Sequence, residues 1–228
     1  MANRTVAIVQ ARMTSNRLPG KSMMMLGDKP TLQRVLERAQ RIRNIDGIIL
    51  AVPDTKASAP MIELAHRMRI GTFLGSELDV LSRYHAAAVS ASAAVILRIT
   101  ADCPLLDPYI CDQVIELRKG AQADYASNCH PRSFPQGLDC ECFTFEALKK
   151  AHHFANDPYE REHVTPYIIR NSQRLNLASG RFDLAEMNWC LDTREDLKFL
   201  KKVFAFADPQ TMQHTLDVID SYIREDAA

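Results

Sequence analysis

Val6-Ala7-Ile8-Val9-Gln10-Ala11-Arg12-Met13-Thr14-Ser15-Asn16-Arg17-Leu18-Pro19-Gly20-Lys21 is the stretch that decides the fold. Its first four residues are apolar, follow a polar start and read as a buried strand. The chain then enters a loop that carries Arg12, Arg17 and Lys21 and bends at Pro19-Gly20. Three cations on one short loop after a strand are placed to receive a polyanion. The open end of a parallel sheet is where backbone N–H groups and helix N-termini converge on such ligands. Two alternatives stand beside this reading. The cations can be solvated residues at an ordinary turn. Gly20-Lys21-Ser22 also matches the end of a P-loop, although Ser15 stands where that motif has its first glycine and Pro19 removes an N–H from the cradle.

Outward from this stretch, strands and helices alternate. Leu32, Val35, Leu36, Ala39 and Ile42 recur at helical spacing after Pro30-Thr31. Gly47 to Val52 reads as a strand, Ala57 to Met68 as a helix, and Ile70 to Leu74 as a third strand. Another helix starts at Leu78 to Leu81, and Ala94 to Thr100 is a strongly apolar fourth strand. This pattern predicts an α/β fold, a mostly parallel sheet with helices on both faces. Beyond it, Pro108 to Lys119, Phe145 to Phe154 and Tyr159 to Asn171 read as helices, the last restarting near Pro166. Asp124 to Ser127, Cys140 to Phe143, Leu175 to Ala178 and Asn188 to Leu191 read as strands. Helices at Arg194 to Ala207 and Met212 to Arg224 close the chain. No composition break divides residues 1–228, so one domain is expected, with 128–187 forming a small lobe over the sheet edge.

The 228 residues include 28 basic and 28 acidic ones. That balance argues against a general nucleic-acid binder, while leaving room for a local cationic pocket. No apolar run approaches the roughly 20 residues of a membrane helix. The first strand begins too early for a signal peptide, so a cytoplasmic protein with no membrane partner is expected. The six cysteines form neither a C-x-x-C pair nor a zinc spacing and read as reduced, buried thiols.

Two aspartates stand where a strand gives way to a turn or helix. Asp102 follows Val95 to Thr100, and Asp192 follows Trp189-Cys190-Leu191. A carboxylate at such a place can hold a hard cation beside nucleotide phosphates. It can equally cap a turn or a helix, and spacing alone does not choose. Asp107, before Pro108, reads as a helix N-cap.

Ala11 to Lys21 resembles the signature loop of the CMP-sugar synthetases, the acylneuraminate and deoxyoctulosonate cytidylyltransferases. It is most similar to members labelled spore coat polysaccharide biosynthesis protein F. Asp102-Cys103-Pro104-Leu105-Leu106 is similar to the family's D-x-P-L setting, and Asp192-Thr193-Arg194-Glu195-Asp196-Leu197 to its D-T-x-E-D-L motif. Gly75 to Tyr84, Pro135 to Glu141 and Glu160 to Pro166 extend the likeness. The resemblance implies a Rossmann-like sheet of the nucleotide-diphospho-sugar transferase type. It implies a CTP site at Gln10, Ala11, Arg12, Arg17, Gly20, Lys21, Asp79 and Arg83, with Mg²⁺ held by Asp102 and Asp192. Asp139, Glu141, Arg161 and His163 would face a small acidic acceptor, with Arg161 pairing with its acid group and His163 either a base or a structural hydrogen-bonder; the alternative is that these segments build a dimer contact. Arg12, Lys21, Asp102 and Asp192 would carry the catalysis, and a homodimer is expected. The reaction implied is transfer of CMP from CTP with release of pyrophosphate, in surface polysaccharide biosynthesis. A metal-dependent glycosyltransferase on a similar sheet and a P-loop-like NTPase are the alternatives.

Overall fold

The computed structural model describes residues 4–180, 184–206 and 215. Strand β1 is Thr5–Gln10, and Val6, Ala7, Ile8 and Val9 are all buried. The loop after it closes through Gly20, whose φ of 73° lets its N–H reach back to the Met13 carbonyl at 2.9 Å. A short 3-10 turn, Lys21–Met23, leads to a small hairpin of β2 (Met25–Leu26) and β3 (Lys29–Pro30). Helix α1, Thr31–Ala39, starts only there. A P-loop needs its Gly-Lys-Ser at the N-terminus of the following helix. The hairpin between Lys21 and α1 removes that alternative.

Next come β4 (Gly47–Pro53), α2 (Ala59–Arg67), β5 (Gly71–Gly75), α3 (Val80–Ser90), β6 (Val95–Thr100) and α4 (Pro108–Gly120). A 3-10 turn at Lys56–Ser58 precedes α2, and Pro60 sits in that helix's first turn. The Asp79 carboxylate caps α3 by accepting from the Ser82 N–H at 2.9 Å. Asp107 caps α4 as expected, accepting from the N–H groups of Tyr109 and Ile110.

The second half adds β7 (Tyr125–Ser127), β8 (Glu141–Thr144), α5 (Phe145–Phe154), α6 (Pro158–His163), α7 (Pro166–Asn171), β9 (Arg174–Asn176) and α8 (Arg194–Phe206). The main sheet has the order β5-β4-β1-β6-β8-β7-β9. All neighbours on the β5 side through β6 are parallel, and β8 lies antiparallel to both β6 and β7. The span 128–187 is therefore not set apart as a lobe. It supplies β8 to the middle of the sheet and α5, α6 and α7 to its flank.

Alternation along the central strands divides the core in two. Ala7, Val9, Leu97 and Ile99 pack with α1, α2 and α4 on one face; Val6, Ile8 and Ile96 pack with α3, α5 and α7 on the other. Both faces are covered, which is why these strands read as unbroken apolar runs. The chain runs outward from β1 to β4 and β5, then returns to β6 on the other side of β1. Such a reversal opens a crevice at the carboxyl ends of the strands.

Asn188–Leu191 differs from the expected strand. It makes a single bridge, Gln136 to Asn188, because the partner chain turns away at once at Gly137. Gly137 has a φ of 106°, and a Cβ there would meet the Trp189 carbonyl carbon at 2.7 Å. Only glycine allows the two backbones to lie this close. The expected helix Met212 to Arg224 lies outside the described residues except for Thr215. Among those described, no helix is long and apolar enough to cross a membrane.

Candidate active site

The carboxyl ends of β1 and β6 place Gln10 and the cationic loop beside Asp102, two residues past β6. Asp192 arrives from the far end of the chain. The Leu191 N–H donates to the Asp102 carbonyl at 2.8 Å, and the Trp189 N–H to Gln136 at 2.7 Å. These bonds bring the two aspartates together on Lys21. Its Nζ donates to Asp102 Oδ2 at 2.6 Å and to Asp192 Oδ1 at 2.8 Å. Arg17 adds an ion pair to Asp192 Oδ2 at 2.9 Å. Neither aspartate caps a helix. The N-terminus of α8 is capped by Thr193 and Asp196, which bond each other's N–H groups in a capping box.

Burial alone would push the Asp102 carboxyl up, but the charge and hydrogen bond of Lys21 outweigh it and hold the group below its ordinary value. Burial likewise opposes the Lys21 ammonium, and the two aspartates overcome it and raise its pKa. Two carboxylates converging on one cation offer hard oxygen donors around a point where positive charge is already favoured. That donor set fits Mg²⁺, with the Lys21 ammonium as the charge now between them.

The cleft over this cluster has a volume of about 530 Å³. Gln10, Ala11, Arg12, Arg17, Lys21 and Arg83 all line it, together with Asp102 and Asp192. Gly20 serves as the loop's bend. Asp79, expected near the nucleotide, does not line the cleft. It holds the guanidinium of Arg161, whose Nε donates to Asp79 Oδ1 at 3.0 Å and whose Nη1 donates to the His152 carbonyl at 2.8 Å. Arg161 thus ties α6 to α3 and α5 and lines neither this cleft nor the cavity beside it. The helical twist explains this. Tyr159 and His163, four residues apart on α6, share the face toward the cavities, while Arg161 lies on the other side.

A second cavity, about 680 Å³, adjoins the cleft; Arg98, Asp139 and His163 line both. Asp139 is held by Arg132 through two bonds of 2.6 and 2.7 Å. Glu141 borders the second cavity but is not free to bind an acceptor. One oxygen pairs with Arg98 and the other accepts from the Tyr125 hydroxyl at 2.7 Å. The Glu141 carboxylate raises the pKa of Arg98 against the opposing effect of burial.

Arg98 is the residue that sequence reasoning missed. The signal was there: a lone arginine inside Val95-Ile96-Leu97-Arg98-Ile99, facing a lone glutamate inside Cys140-Glu141-Cys142-Phe143. A charge on a strand covered on both faces demands a partner of opposite sign, and Arg98 pairs with Glu141 in the β6–β8 register.

A family model described as Cytidylyltransferase matches residues 6–221. The spore coat polysaccharide biosynthesis protein SpsF of Bacillus subtilis is 31% identical over 214 residues, 89% of this chain and 87% of that protein. The structure of a cytidylyltransferase from Leptospira borgpetersenii superposes with a TM-score of 0.91 at 30% identity, covering 98% of this chain and 95% of that one. A CMP:2-keto-3-deoxy-manno-octonic acid synthetase solved with CTP gives a TM-score of 0.67 at 15% identity, covering 89% and 98%, which speaks for the fold alone.

Proposed function

Since the chain belongs to the cytidylyltransferase family and is a CTP-dependent nucleotidyltransferase, we propose that it transfers CMP to a small acidic acceptor, an acidic sugar or a similar acid, and releases pyrophosphate. The product would feed surface polysaccharide biosynthesis. The observation that carries this reading is the convergence of Asp102 and Asp192 on Lys21 at the mouth of the cationic cleft.

In this reading the triphosphate lies along Arg12, Arg17 and Lys21, and Lys21 exchanges its carboxylate partners for phosphate oxygens. Asp102 and Asp192 would hold Mg²⁺, which when bound would supply positive charge to the phosphates. The acceptor occupies the second cavity, where His163 borders both substrates and can hydrogen-bond the attacking hydroxyl. Arg98 replaces Arg161 as the residue that receives the acceptor's acid group. It sits where the two cavities meet, and Glu141 and the sheet fix its planar fork. The attacking oxygen displaces pyrophosphate from the α-phosphorus, so the site needs positioning and charge rather than a covalent nucleophile.

A pyrophosphate-release screen tests the proposal by crossing the four NTPs with a panel of sugar acids and phosphorylated or phosphonate acids, with and without Mg²⁺. Release that requires CTP, an acid and Mg²⁺ together is expected. Equal release from UTP, or release without any acid, would overturn it.

A further inference from the structure

Each of the two aspartates has a cysteine close behind it in the chain: Cys103 follows Asp102, and Cys190 precedes Asp192 by two residues. Their Sγ atoms lie 3.5 Å apart. Both residues are buried from bulk solvent, yet both line a small cavity of about 160 Å³ that Asp102 and Asp192 also line. Cys103 is further held by Thr100, its Sγ 3.1 Å from the Thr100 hydroxyl. The backbone bond from Leu191 N–H to the Asp102 carbonyl keeps the two segments side by side. A second thiol pair offers a built-in comparison. Cys111 and Cys140 are also buried neighbours, but neither lines any of these cavities.

We propose that Cys103 and Cys190 are a modification site, a dithiol that closes to a disulfide under peroxide and switches the nucleotidyl-transfer site off. One thiol sulfur attacks hydrogen peroxide, becoming a sulfenic acid with loss of water. The second sulfur then attacks the sulfenic sulfur, the S–S bond forms and a second water leaves. Two thiols give up two electrons and two protons, and the peroxide becomes two waters. A small oxidant is required because the cavity that the two cysteines line holds only about 160 Å³. The bond shortens the sulfur–sulfur distance from 3.5 Å to about 2.05 Å. The two segments that carry Asp102 and Asp192 share that contraction, and a misplacement approaching an ångström at a reacting group costs up to about a hundredfold in rate.

The test treats the full chain with hydrogen peroxide in the absence of substrates. Free thiols under denaturing conditions should fall from six to four, with peptide mapping placing the cross-link at Cys103–Cys190. Turnover should fall about a hundredfold and CTP binding in the presence of Mg²⁺ should weaken, both restored by dithiothreitol. Cys190→Ser should keep its turnover and its CTP binding under the same treatment, whereas Cys111→Ser should remain sensitive. A cross-link mapped to Cys111–Cys140, a thiol count that stays at six, a Cys103–Cys190 disulfide with unchanged turnover, or a Cys190→Ser protein inactivated like the parent would each overturn the proposal.

Discussion

Replacing Lys21 by methionine is the perturbation that most directly probes the site, because Lys21 is not an exposed loop cation. Its side chain is only 13% accessible and it separates two carboxylates. The two oxygens bonded to it lie 2.6 and 2.8 Å from Nζ, so they are at most about 5.4 Å apart. Without the ammonium, two charges at that spacing repel by about 3 kcal/mol at an effective dielectric of about 20. For a chain of this length each kcal/mol shifts the midpoint by about 2–4 °C, so Lys21→Met should lower Tm by about 6–12 °C. Magnesium should restore most of that loss in the variant, since an ion at a hundred times its Kd contributes about 2.7 kcal/mol. It should stabilise the parent less, because there it must displace Lys21 from the same carboxylates. The assay is thermal unfolding by circular dichroism with EDTA and with excess Mg²⁺, without nucleotide. An unchanged Tm for Lys21→Met, or equal Mg²⁺ responses in variant and parent, would refute the idea that one cation and two carboxylates share a single point.

Three other outcomes follow from the same geometry. Asp192→Asn should leave stability within about 1 kcal/mol, because Asp192 caps no helix, yet reduce turnover by about a hundredfold or more; steady-state kinetics giving near-parental turnover would contradict this. Glu141→Gln leaves Arg98 buried without its countercharge and should cost about 3–5 kcal/mol in urea unfolding, against about 1 kcal/mol for Tyr125→Phe; equal midpoints for the two variants would count against a buried ion pair. His85 and His152 stack with ring centroids 4.3 Å apart, and burial first and then neighbouring positive charge depress both pKa values below 6.5. Because the fold favours their neutral forms, their stabilising effect is full above about pH 6.5 and is lost as pH falls through the depressed values, so Tm should decline on acidification and His85→Asn should flatten that decline.

The first half of the fold was legible because each central strand is buried on both faces and bounded by a turn. Val6 to Val9 and Val95 to Thr100 could be read from apolar runs alone. Asp107-Pro108 announced its helix through local chemistry, a cap followed by a proline. Other features had no local signal. Asp102 and Asp192 are both drawn to Lys21, 81 and 171 residues away in sequence, and only family resemblance joined them. Arg161 looked like an acid receptor because its neighbours looked like a site. Its partner Asp79, 82 residues away, could not be inferred from spacing. Asn188–Leu191 had a strand's composition but lacked a straight partner, since Gly137 turns the neighbouring chain. β8 was expected as a strand, yet nothing in its four residues said that it would insert antiparallel beside β6.

The modest anchoring of the Asp192 segment has a kinetic side. Asp102 follows a strand laddered on both edges, so freeing it means opening the sheet. Asp192 depends on one bridge and a few backbone bonds, and it therefore belongs to a smaller cooperative unit. Amide hydrogens of Trp189 and Leu191 would then exchange by local opening, while those of Val9 and Ile99 wait for global unfolding. An asymmetric pair of this kind can hold a cation firmly from one side and let go from the other. The free energy of that local opening, rather than the stability of the whole chain, would then govern how quickly Asp192 lets go of its partner.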